Sequence, residues 1–434
     1  MYDKKCASSD KPQCWKEINF KKAERFVKKL QRRIFVAYSQ GNVDKAVTLM
    51  NFMIHSFYAK ACAVRRVCST RGRKTPGIDG VLWITDEEKF NAIYTLRLRG
   101  YKPKPLKRVR KMKPDGTYRL LGIPTMKDRA VQTLYKFALE PIMESLADEH
   151  SYGFRHGRNV KDAILNLEDY LSKNPDCEWI LKSDIDSCFD SIDHEWLLQH
   201  LPGNSKVLRK ILKSGIMENG IWHPTNKGVP QGGSVSSVLC NLALDGLENI
   251  CADVPTDVCA YNPSDNNTDT GIDIPIRVTR YADDIIICAK DKEWLVQAVV
   301  PVVEKFLSER GLSLSDKKTS VSNIRNGVTF LGWNVSKHNG KIISVPTQRA
   351  VDSLFEKVQA IVLNEGCFTE KKVKQNLKCL IRGWLNFYSI STEPYLRGLE
   401  FELAILINRL TGTRQLVDVL YKEFKKYIIS KGEN

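Results

Sequence analysis

The chain has 434 residues, a length that allows about two or three domains with a sizeable buried core. Its formal net charge of +17 favours a polyanionic partner, because each phosphate neutralised by Lys or Arg releases a counterion. No apolar run approaches the length needed to span a bilayer, so we expect no membrane segment. The polar N-terminus and twelve scattered cysteines, without a Cys-x-x-Cys pair, predict a cytoplasmic protein with reduced thiols.

Residues 15–60 are predicted to be helical. Apolar residues recur there at three- and four-residue steps with Lys and Arg between them, the spacing of an amphipathic helix: Val27, Leu30, Ile34 and Ala37. The pattern resumes after the Gly41-Asn42 break. Basic helices of this kind can lie along RNA or pack as a pair with solvated lysines, and the residues alone leave both interpretations open.

A strongly basic hairpin is predicted further along the chain. Residues 102–113 contain seven basic side chains and no acid. Pro114-Asp115-Gly116 supplies a tight turn, and a second strand follows over 118–124. Such a hairpin can fold over a triphosphate, or it can hold an RNA backbone.

Two acidic segments are the strongest indication of chemistry. Residues 180–183 form an apolar strand that runs into Asp184, and roughly one hundred residues later Asp283 and Asp284 lie between apolar, β-branched runs. The second pattern predicts a β-hairpin with both acids at its turn. Adjacent carboxylates repel, and a bound divalent cation is the usual reason to tolerate them, although a solvated turn explains an isolated acidic pair.

The order of the motifs resembles that of a reverse transcriptase palm. An acidic strand, then Gly228-Val229-Pro230-Gln231-Gly232-Gly233-Ser234, then Tyr281-Ala282-Asp283-Asp284, is similar to the group II intron-like bacterial reverse transcriptases. The resemblance covers roughly residues 14–410 and includes Thr75-Pro76-Gly77-Ile78-Asp79-Gly80 at the start of the fingers. It implies an α+β right-hand polymerase with fingers, an antiparallel palm sheet that carries the catalytic aspartates, and a helical thumb.

The resemblance also implies a division into four regions. We expect an N-terminal basic helical extension over 1–70, fingers with part of the palm over 71–175, the palm over 176–335, and a thumb or maturase-like helical domain over 336–434. Further helices are predicted over 126–142 and 299–307. The Pro-, Asp-, Asn- and Thr-rich stretch 254–274 is predicted to be a surface loop.

Three aspartates are the catalytic residues that the resemblance implies. Asp184, Asp283 and Asp284, together with the backbone carbonyl of Ile185, are expected to bind two Mg²⁺ ions, with Mn²⁺ able to replace Mg²⁺. Carboxylate oxygens are the hard ligands that Mg²⁺ prefers, and triphosphate and water would complete its shells. Asp186, Asp190 and Asp193 follow Asp184, but strand alternation predicts that they point elsewhere.

Contacts to the incoming nucleotide are implied for five residues: Lys113, Arg119, Phe189, Gln231 and Lys318. Lys113 and Arg119 would hold its phosphates. Phe189 would exclude a ribose 2′-OH and so select dNTPs, Gln231 would lie in the turn near the nascent base pair, and Lys318 could protonate the leaving pyrophosphate. Three segments depart from the family pattern: Lys111-Met112-Lys113 for Ile-Pro-Lys, Arg119-Leu120-Leu121-Gly122 for Arg-Pro-Leu-Gly, and Ser236-Ser237 for Ser-Pro.

The expected partners are an RNA template, a DNA primer and product, and dNTPs. Arg155, Arg158 and Arg382 are candidate contacts to the nucleic acid. The departures, and the absence of a Cys- and His-bearing nuclease segment before Asn434, favour a stand-alone enzyme that copies a dedicated structured noncoding RNA in antiphage defence.

Other interpretations stay open. One is an intron-encoded reverse transcriptase and maturase, and another is an RNA-binding scaffold without catalysis. An RNA-dependent RNA polymerase would usually show Gly-Asp-Asp and lack the aromatic gate. The sequence predicts no oligomeric state.

Overall fold

The computed structural model describes residues 12–112, 116, 118–203, 205–255, 276–363 and 369–432. Lys113, and nearly all of the predicted loop at 254–274, lie outside these residues. Within the described ranges, no helix combines the length and the apolar composition that crossing a membrane requires.

Helices are the commonest element in the described part of the chain. In chain order they are α1 (Phe20–Ser39), α2 (Val43–His55), α3 (Phe57–Ser69), α4 (Asp86–Thr95), α5 (Met126–Leu146), α6 (Val160–Lys173), α7 (Cys188–Ser191), α8 (His194–His200), α9 (Lys206–Leu212), α10 (Ser236–Leu244), α11 (Leu247–Ala252), α12 (Lys292–Trp294), α13 (Val300–Ser308), α14 (Gln348–Leu363), α15 (Glu370–Phe387), α16 (Glu393–Thr411) and α17 (Arg414–Gly432). The helices predicted over 15–60, 126–142 and 299–307 are therefore confirmed within a few residues.

The strands form three sheets. They are β1 (Leu106–Met112), β2 (Tyr118–Ile123), β3 (Trp179–Asp184), β4 (Ile216–Glu218), β5 (Ile221–His223), β6 (Arg277–Tyr281), β7 (Asp284–Ala289), β8 (Ser320–Asn323), β9 (Val328–Phe330), β10 (Trp333–His338) and β11 (Lys341–Pro346). The strand orders are β2-β1-β4-β5, β6-β7-β3-β8 and β11-β10-β9. The antiparallel pairing of β1 with β2 confirms the basic hairpin.

The described residues divide into two compact units. The first consists of Met1–Asp148, Ile185–Leu247 and Glu304–Leu314, and the second of Glu149–Asp184, Glu248–Val303 and Ser315–Asn434. Each unit is therefore assembled from segments that are distant in the sequence.

In the first unit, helices α1, α2, α3 and α5 pack together around the apolar stripe of α1. The predicted residues Val27, Leu30, Ile34 and Ala37 are all buried on that stripe. Asn19 begins α1 because its side chain accepts a hydrogen bond from the Lys22 amide. The alternating lysines and arginines remain at the surface, as the spacing predicts.

Helix α5 also fixes the start of the fingers. The buried Arg129 guanidinium donates to the carbonyls of Gly72 (2.9 Å) and Thr75 (2.6 Å). Gly77 passes so close to α5 that a Cβ there would lie 2.6 Å from the Cα of Thr125. The Thr75–Gly80 turn therefore needs glycine at 77 and a cation at 129.

In the second unit, β3 lies between β7 and β8 in the palm sheet. Ile180 and the hairpin residues Ile286 and Cys288 are buried against α6, together with Ile164 and Leu167. Fully burying such side chains stabilises the fold by about 1.5–3 kcal/mol each. This core holds the sheet that carries the aspartates.

The C-terminal helices α14–α17 share a separate apolar core in the same unit. It is built from residues at helical spacing, including Leu354, Leu377, Leu403, Leu420 and Phe424. The mainly helical C-terminal region expected from the sequence is therefore confirmed.

Candidate active site

Asp184 and Asp284 lie directly opposite each other in the palm sheet. Asp184 ends β3, Asp284 begins β7, and the antiparallel register pairs the two residues. Residues opposite each other in an antiparallel pair have Cα atoms about 4.5–5.5 Å apart. Two acidic segments that are roughly one hundred residues apart in the sequence therefore bring carboxylates to the same end of one sheet.

The turn between β6 and β7 carries the third carboxylate. Tyr281 pairs with Asp284, which leaves Ala282 and Asp283 as the two residues of the turn. Ala282 has a φ of +58°, in the left-handed region that residues with a Cβ seldom adopt. The predicted hairpin with its acids at the turn is confirmed.

The carboxylates repel one another. Burial, followed by the charges of Asp184 and Asp283, raises the pKa of Asp284 to about 6. The ammonium groups of Lys318 and Lys182 oppose this shift. Negative charge is therefore concentrated at the end of β3 and β7, where it favours any cation that can approach.

Lys318 supplies such a cation. Its ammonium group contacts the carboxylate of Asp184, and 64% of the Lys318 side chain is exposed. The hydrogen bond to Asp184 raises the pKa of Lys318 above its ordinary value. A raised pKa makes the lysine a weaker proton donor near neutral pH.

The donor set fits a partly hydrated Mg²⁺. Among the residues that the structure describes, no three His, Cys, Asp or Glu side chains are close enough to hold a metal ion by themselves. Mg²⁺, however, commonly binds through one or two carboxylates and keeps waters and substrate phosphates as its other ligands. Two facing carboxylates with a third in the turn match that requirement. Ile185, the next predicted ligand, is buried and forms a β-bridge with Leu314.

The Pro-Gln-Gly-Gly turn belongs to the first unit, where Gln231 links two elements. Its side-chain amide donates to Asp190 (3.2 Å), and its backbone carbonyl accepts from the amide of Gly122 on β2 (3.1 Å). Gly228, with a φ of +81°, lies where a Cβ would be 2.6 Å from the carbonyl oxygen of Asp190. The turn is therefore closely packed against the segment that carries Phe189.

Phe189 and Arg119 are both near this turn. Phe189 is partly buried on α7, and its carbonyl accepts from the amide of Val229 (2.6 Å). Arg119 is exposed on β2, and its charge, like that of Arg108, opposes the rise in the pKa of Asp190 that burial causes. Arg108 was not among the predicted contacts, because a basic strand does not show which side chain faces an acid.

Ser236, which keeps the Ser of the family pattern, holds the Pro-Gln-Gly-Gly turn together, and nothing in the structure explains Ser237 in place of Pro. The hydroxyl of Ser236 donates to the carbonyl of Pro230 (2.7 Å), which closes the turn from within. The buried Gln132 on α5 accepts from the amide of Ser234 (2.9 Å). Sequence reasoning did not single out Gln132, since nothing in its local pattern indicates a contact about a hundred residues away.

The three arginines predicted to contact nucleic acid have partners within the protein. Arg155 and Arg158 both donate to the carbonyl of Ser151, at 3.0 Å each. Arg382 forms an ion pair with Glu423, whose side chain is only 4% exposed. Any contact to nucleic acid would have to share or replace these interactions.

Comparison with known proteins identifies the family. Residues 111–335, more than half of the chain, match the reverse transcriptase (RNA-dependent DNA polymerase) model, and residues 15–96 match the N-terminal domain of reverse transcriptase. The chain is 29% identical to Protein YkfC of Escherichia coli (strain K12), covering 66% of this chain and 84% of that protein. It is 24% identical to the group II intron-encoded protein LtrA of Lactococcus lactis subsp. cremoris, covering 77% of this chain and 66% of LtrA.

A telomerase from Candida albicans, solved in complex with a fragment of telomeric RNA, is a distant structural neighbour. It shares 17% identity with a TM-score of 0.40, covering 76% of this chain and 62% of the telomerase. The family match and the antiparallel sheet confirm the expected α+β polymerase fold. The chain belongs to the reverse transcriptases, the RNA-dependent DNA polymerases, of the group II intron-like type.

Proposed function

We propose that Asp184, Asp283 and Asp284 are the catalytic residues of RNA-directed DNA synthesis, in which dNTPs are added to a primer on an RNA template. One observation carries this proposal: Asp184 and Asp284 face each other in the palm sheet, within the stretch that matches the reverse transcriptase family. Nucleotide addition is phosphoryl transfer, in which positioning and charge stabilisation supply most of the catalysis.

The three carboxylates, with the backbone carbonyl of Ile185, would hold two Mg²⁺ ions, and Mn²⁺ would be able to replace them. When bound, such ions stabilise the charge on the attacking and leaving oxygens. The chain's own part is to keep mutually repelling carboxylates together at the end of β3 and β7. Lys318 would leave Asp184 free for this role by turning toward the phosphates of the nucleotide.

The remaining contacts are proposed in both units. Arg119 and Lys113 would hold the triphosphate, Phe189 would exclude a ribose 2′-OH, and Gln231 would support the nascent base pair. The proximity of Arg119 and Gln231 to Asp190 supports a shared binding surface. Arg155, Arg158 and Arg382 stay proposed contacts to nucleic acid, and the four-region division stays a proposal.

Primer extension tests the catalytic assignment. Wild-type protein should extend a DNA primer on an RNA template with Mg²⁺ and dNTPs, and Asp283→Ala/Asp284→Ala should not. Lys317→Ala, a change at an exposed lysine near the site, is a matched control and should extend normally. Normal extension by the double variant would remove both aspartates from the mechanism, and no extension by the wild type would favour an RNA-binding scaffold.

For the biological setting, we propose that the enzyme copies a dedicated structured noncoding RNA in antiphage defence. Support comes from departures from the intron-encoded pattern at Met112, Leu120 and Ser237. A second candidate, an intron reverse transcriptase and maturase, is favoured by the similarity to LtrA, which is named as an intron-encoded protein. Sequencing the RNA that co-purifies with the protein separates the two: a flanking intron would contradict the defence role, and a separate structured RNA would support it.

A further inference from the structure

A short segment, residues 149–153, lies along the outer edge of the palm sheet. Ser151 forms a parallel bridge with Arg280 on β6, the outermost strand of that sheet. The amide of Arg280 donates to the carbonyl of His150 (3.0 Å), and the amide of Tyr152 donates to the carbonyl of Arg280 (2.8 Å). These residues, named here the edge segment, therefore extend the sheet beside the strand that leads into the aspartate turn.

The edge segment touches the turn itself through Gly153. A Cβ at this position would lie 2.2 Å from the backbone nitrogen of Ala282 and 2.8 Å from the carbonyl carbon of Tyr281. Both atoms belong to the backbone, so no side-chain rotation could relieve the overlap. Any residue other than glycine at 153 must displace either the edge segment or the turn that carries Asp283.

Arg280 approaches the same turn from the strand side. Its side chain is almost completely buried, and its guanidinium donates to the carbonyl of Ala282 at 3.4 Å. Ala282 has a φ of +58°, a conformation that costs a residue with a Cβ about 1–2 kcal/mol unless its surroundings hold it. The contacts from Gly153 and Arg280 are those surroundings.

The edge segment has its own anchors, which do not involve the hairpin turn. Glu248 on α11 accepts from the amide of His150 (2.5 Å) and lies 3.1 Å from its imidazole. Arg158 donates to the carbonyl of Ser151 (3.0 Å), and its guanidinium lies over the ring of Tyr152. The segment is thus a fixed surface against which the turn rests.

We propose that the edge segment sets the position of Asp283 and Asp284, and that Gly153 and Arg280 are positioning residues for these two carboxylates. This inference rests on the metal-binding role proposed above for the aspartates. It assigns a function to the buried contact between residues 153 and 282, and it gives Arg158 a role in supporting the site in addition to its proposed contact to nucleic acid.

Gly153→Ala tests the inference in the full-length protein. Displacing the turn should lower kcat by about 10²-fold, the loss that a misplacement of about 1 Å can cause, and should raise the half-saturating Mg²⁺ concentration. Mn²⁺ binding, measured by the EPR signal of the free ion, should weaken in parallel, which gives a readout that does not depend on catalysis. Gly398→Ala in α16 is the matched control, because a Cβ there meets no atom within 4 Å, and it should behave like the wild type.

The outcomes separate this inference from the proposed function. Equal Mn²⁺ binding by the wild type and by Asp283→Ala/Asp284→Ala would contradict the metal site itself. Weak binding by that double variant but normal Mn²⁺ binding and kcat in Gly153→Ala would overturn only the positioning role. If Gly153→Ala does not fold, Arg280→Lys replaces it. A higher half-saturating Mg²⁺ concentration in this variant, with unchanged primer–template binding, supports the inference. The same half-saturating Mg²⁺ concentration as in the wild type overturns it.

Discussion

The ammonium group of Lys318 lies against the carboxylate of Asp184, at the point where β3 ends opposite β7. A cation from the protein thus already balances one of the facing carboxylates. Any metal ion that uses Asp184 as a ligand has to compete with this lysine, so Lys318 influences both metal affinity and charge at the site.

Replacement of Lys318 should therefore separate these two effects. We expect Lys318→Ala to lower the half-saturating Mg²⁺ concentration, because the competing ammonium is gone, and to raise the KM for dNTPs by about tenfold through loss of a charge-assisted phosphate contact. Titrations of Mg²⁺ and dNTP in primer extension measure both values. Lys317→Ala is the control, and an unchanged Mg²⁺ requirement in Lys318→Ala would contradict the competition.

Neutralising Asp284 should abolish catalysis while stabilising the fold. Its pKa is raised from 3.8 to about 6, so at pH 7 ionisation is less favourable in the folded than in the unfolded chain. The cost is about 1–3 kcal/mol in the absence of metal. In EDTA, Asp284→Asn should melt at a higher temperature than the wild type and yet fail in primer extension. A lower Tm in the variant would show that the carboxylates do not destabilise one another.

Phe189 should control the choice of sugar. If its ring excludes a 2′-OH, Phe189→Ala should increase the ratio of rNTP to dNTP incorporation by about 10- to 200-fold, the range over which a pocket discriminates between substrates that differ by one small group. Single-nucleotide addition with matched rNTP and dNTP measures this ratio. Phe189→Tyr keeps the bulk of the ring and should keep the preference for dNTPs, whereas an unchanged preference in Phe189→Ala would reject the gate.

Glu178 should make the second unit sensitive to acid. Hydrogen bonds from Arg325 and Lys337 lower the pKa of Glu178 from 4.5 to about 2. A lowered pKa in the fold means that this stabilisation is complete above pH 4.5 and is lost as the pH falls toward 2. Because Arg325 is largely exposed, we expect solvent screening to limit the effect to about 1 kcal/mol.

Denaturant unfolding at several pH values measures how the contribution of Glu178 to stability changes with pH. The difference in unfolding free energy between the wild type and Glu178→Gln should shrink as the pH falls below 4.5. High salt should also reduce this difference in unfolding free energy, because salt screens the charges. A difference that is constant across this pH range would show that the Glu178 charge contributes nothing.

Arg382 should contribute mainly to the stability of the fold. Arg382→Met leaves the Glu423 carboxylate buried without its ion pair, which we expect to destabilise the protein by about 1–3 kcal/mol, given that Arg382 itself is half-exposed. Arg382→Met/Glu423→Gln should recover much of this loss. If the double variant regains the Tm but not the affinity for primer–template, Arg382 also contacts nucleic acid; if it regains both, the role is structural.

Local sequence patterns predicted individual helices and hairpins well, because each of these elements depends on residues that are close in the sequence. The stripe from Val27 to Ala37 and the apolar runs around Asp283-Asp284 each carry their own periodicity, and the structure has the helix and the hairpin where that periodicity indicates. The pairing of Asp184 with Asp284 has no such local cause. It was expected only through the family resemblance. Strand alternation was wrong as a reason to set Asp186 apart from Asp184, because residues two apart share one face of a strand and β3 ends at Asp184.

Most of the contacts that sequence reasoning missed join residues that are distant in the sequence. Glu423 lies two helices beyond Arg382. The edge segment, residues 149–153, is too short and too polar to indicate a strand. Arg155 and Arg158 were predicted only as contacts to nucleic acid, because a sequence does not show that both reach the carbonyl of Ser151. Only the backbone of Ala282, which is more than a hundred residues away in the sequence, explains why residue 153 is glycine.

The central position of β3 has a consequence during protein synthesis. Both of its neighbours, β7 and β8, are translated roughly a hundred residues or more after it. A nascent chain that has reached only Asp184 therefore presents an apolar strand with two unpaired edges, the kind of segment that chaperones recognise. No truncated translation product that stops before β7 can assemble the facing carboxylates, so a ribosome that stalls early releases a chain without the proposed reaction centre.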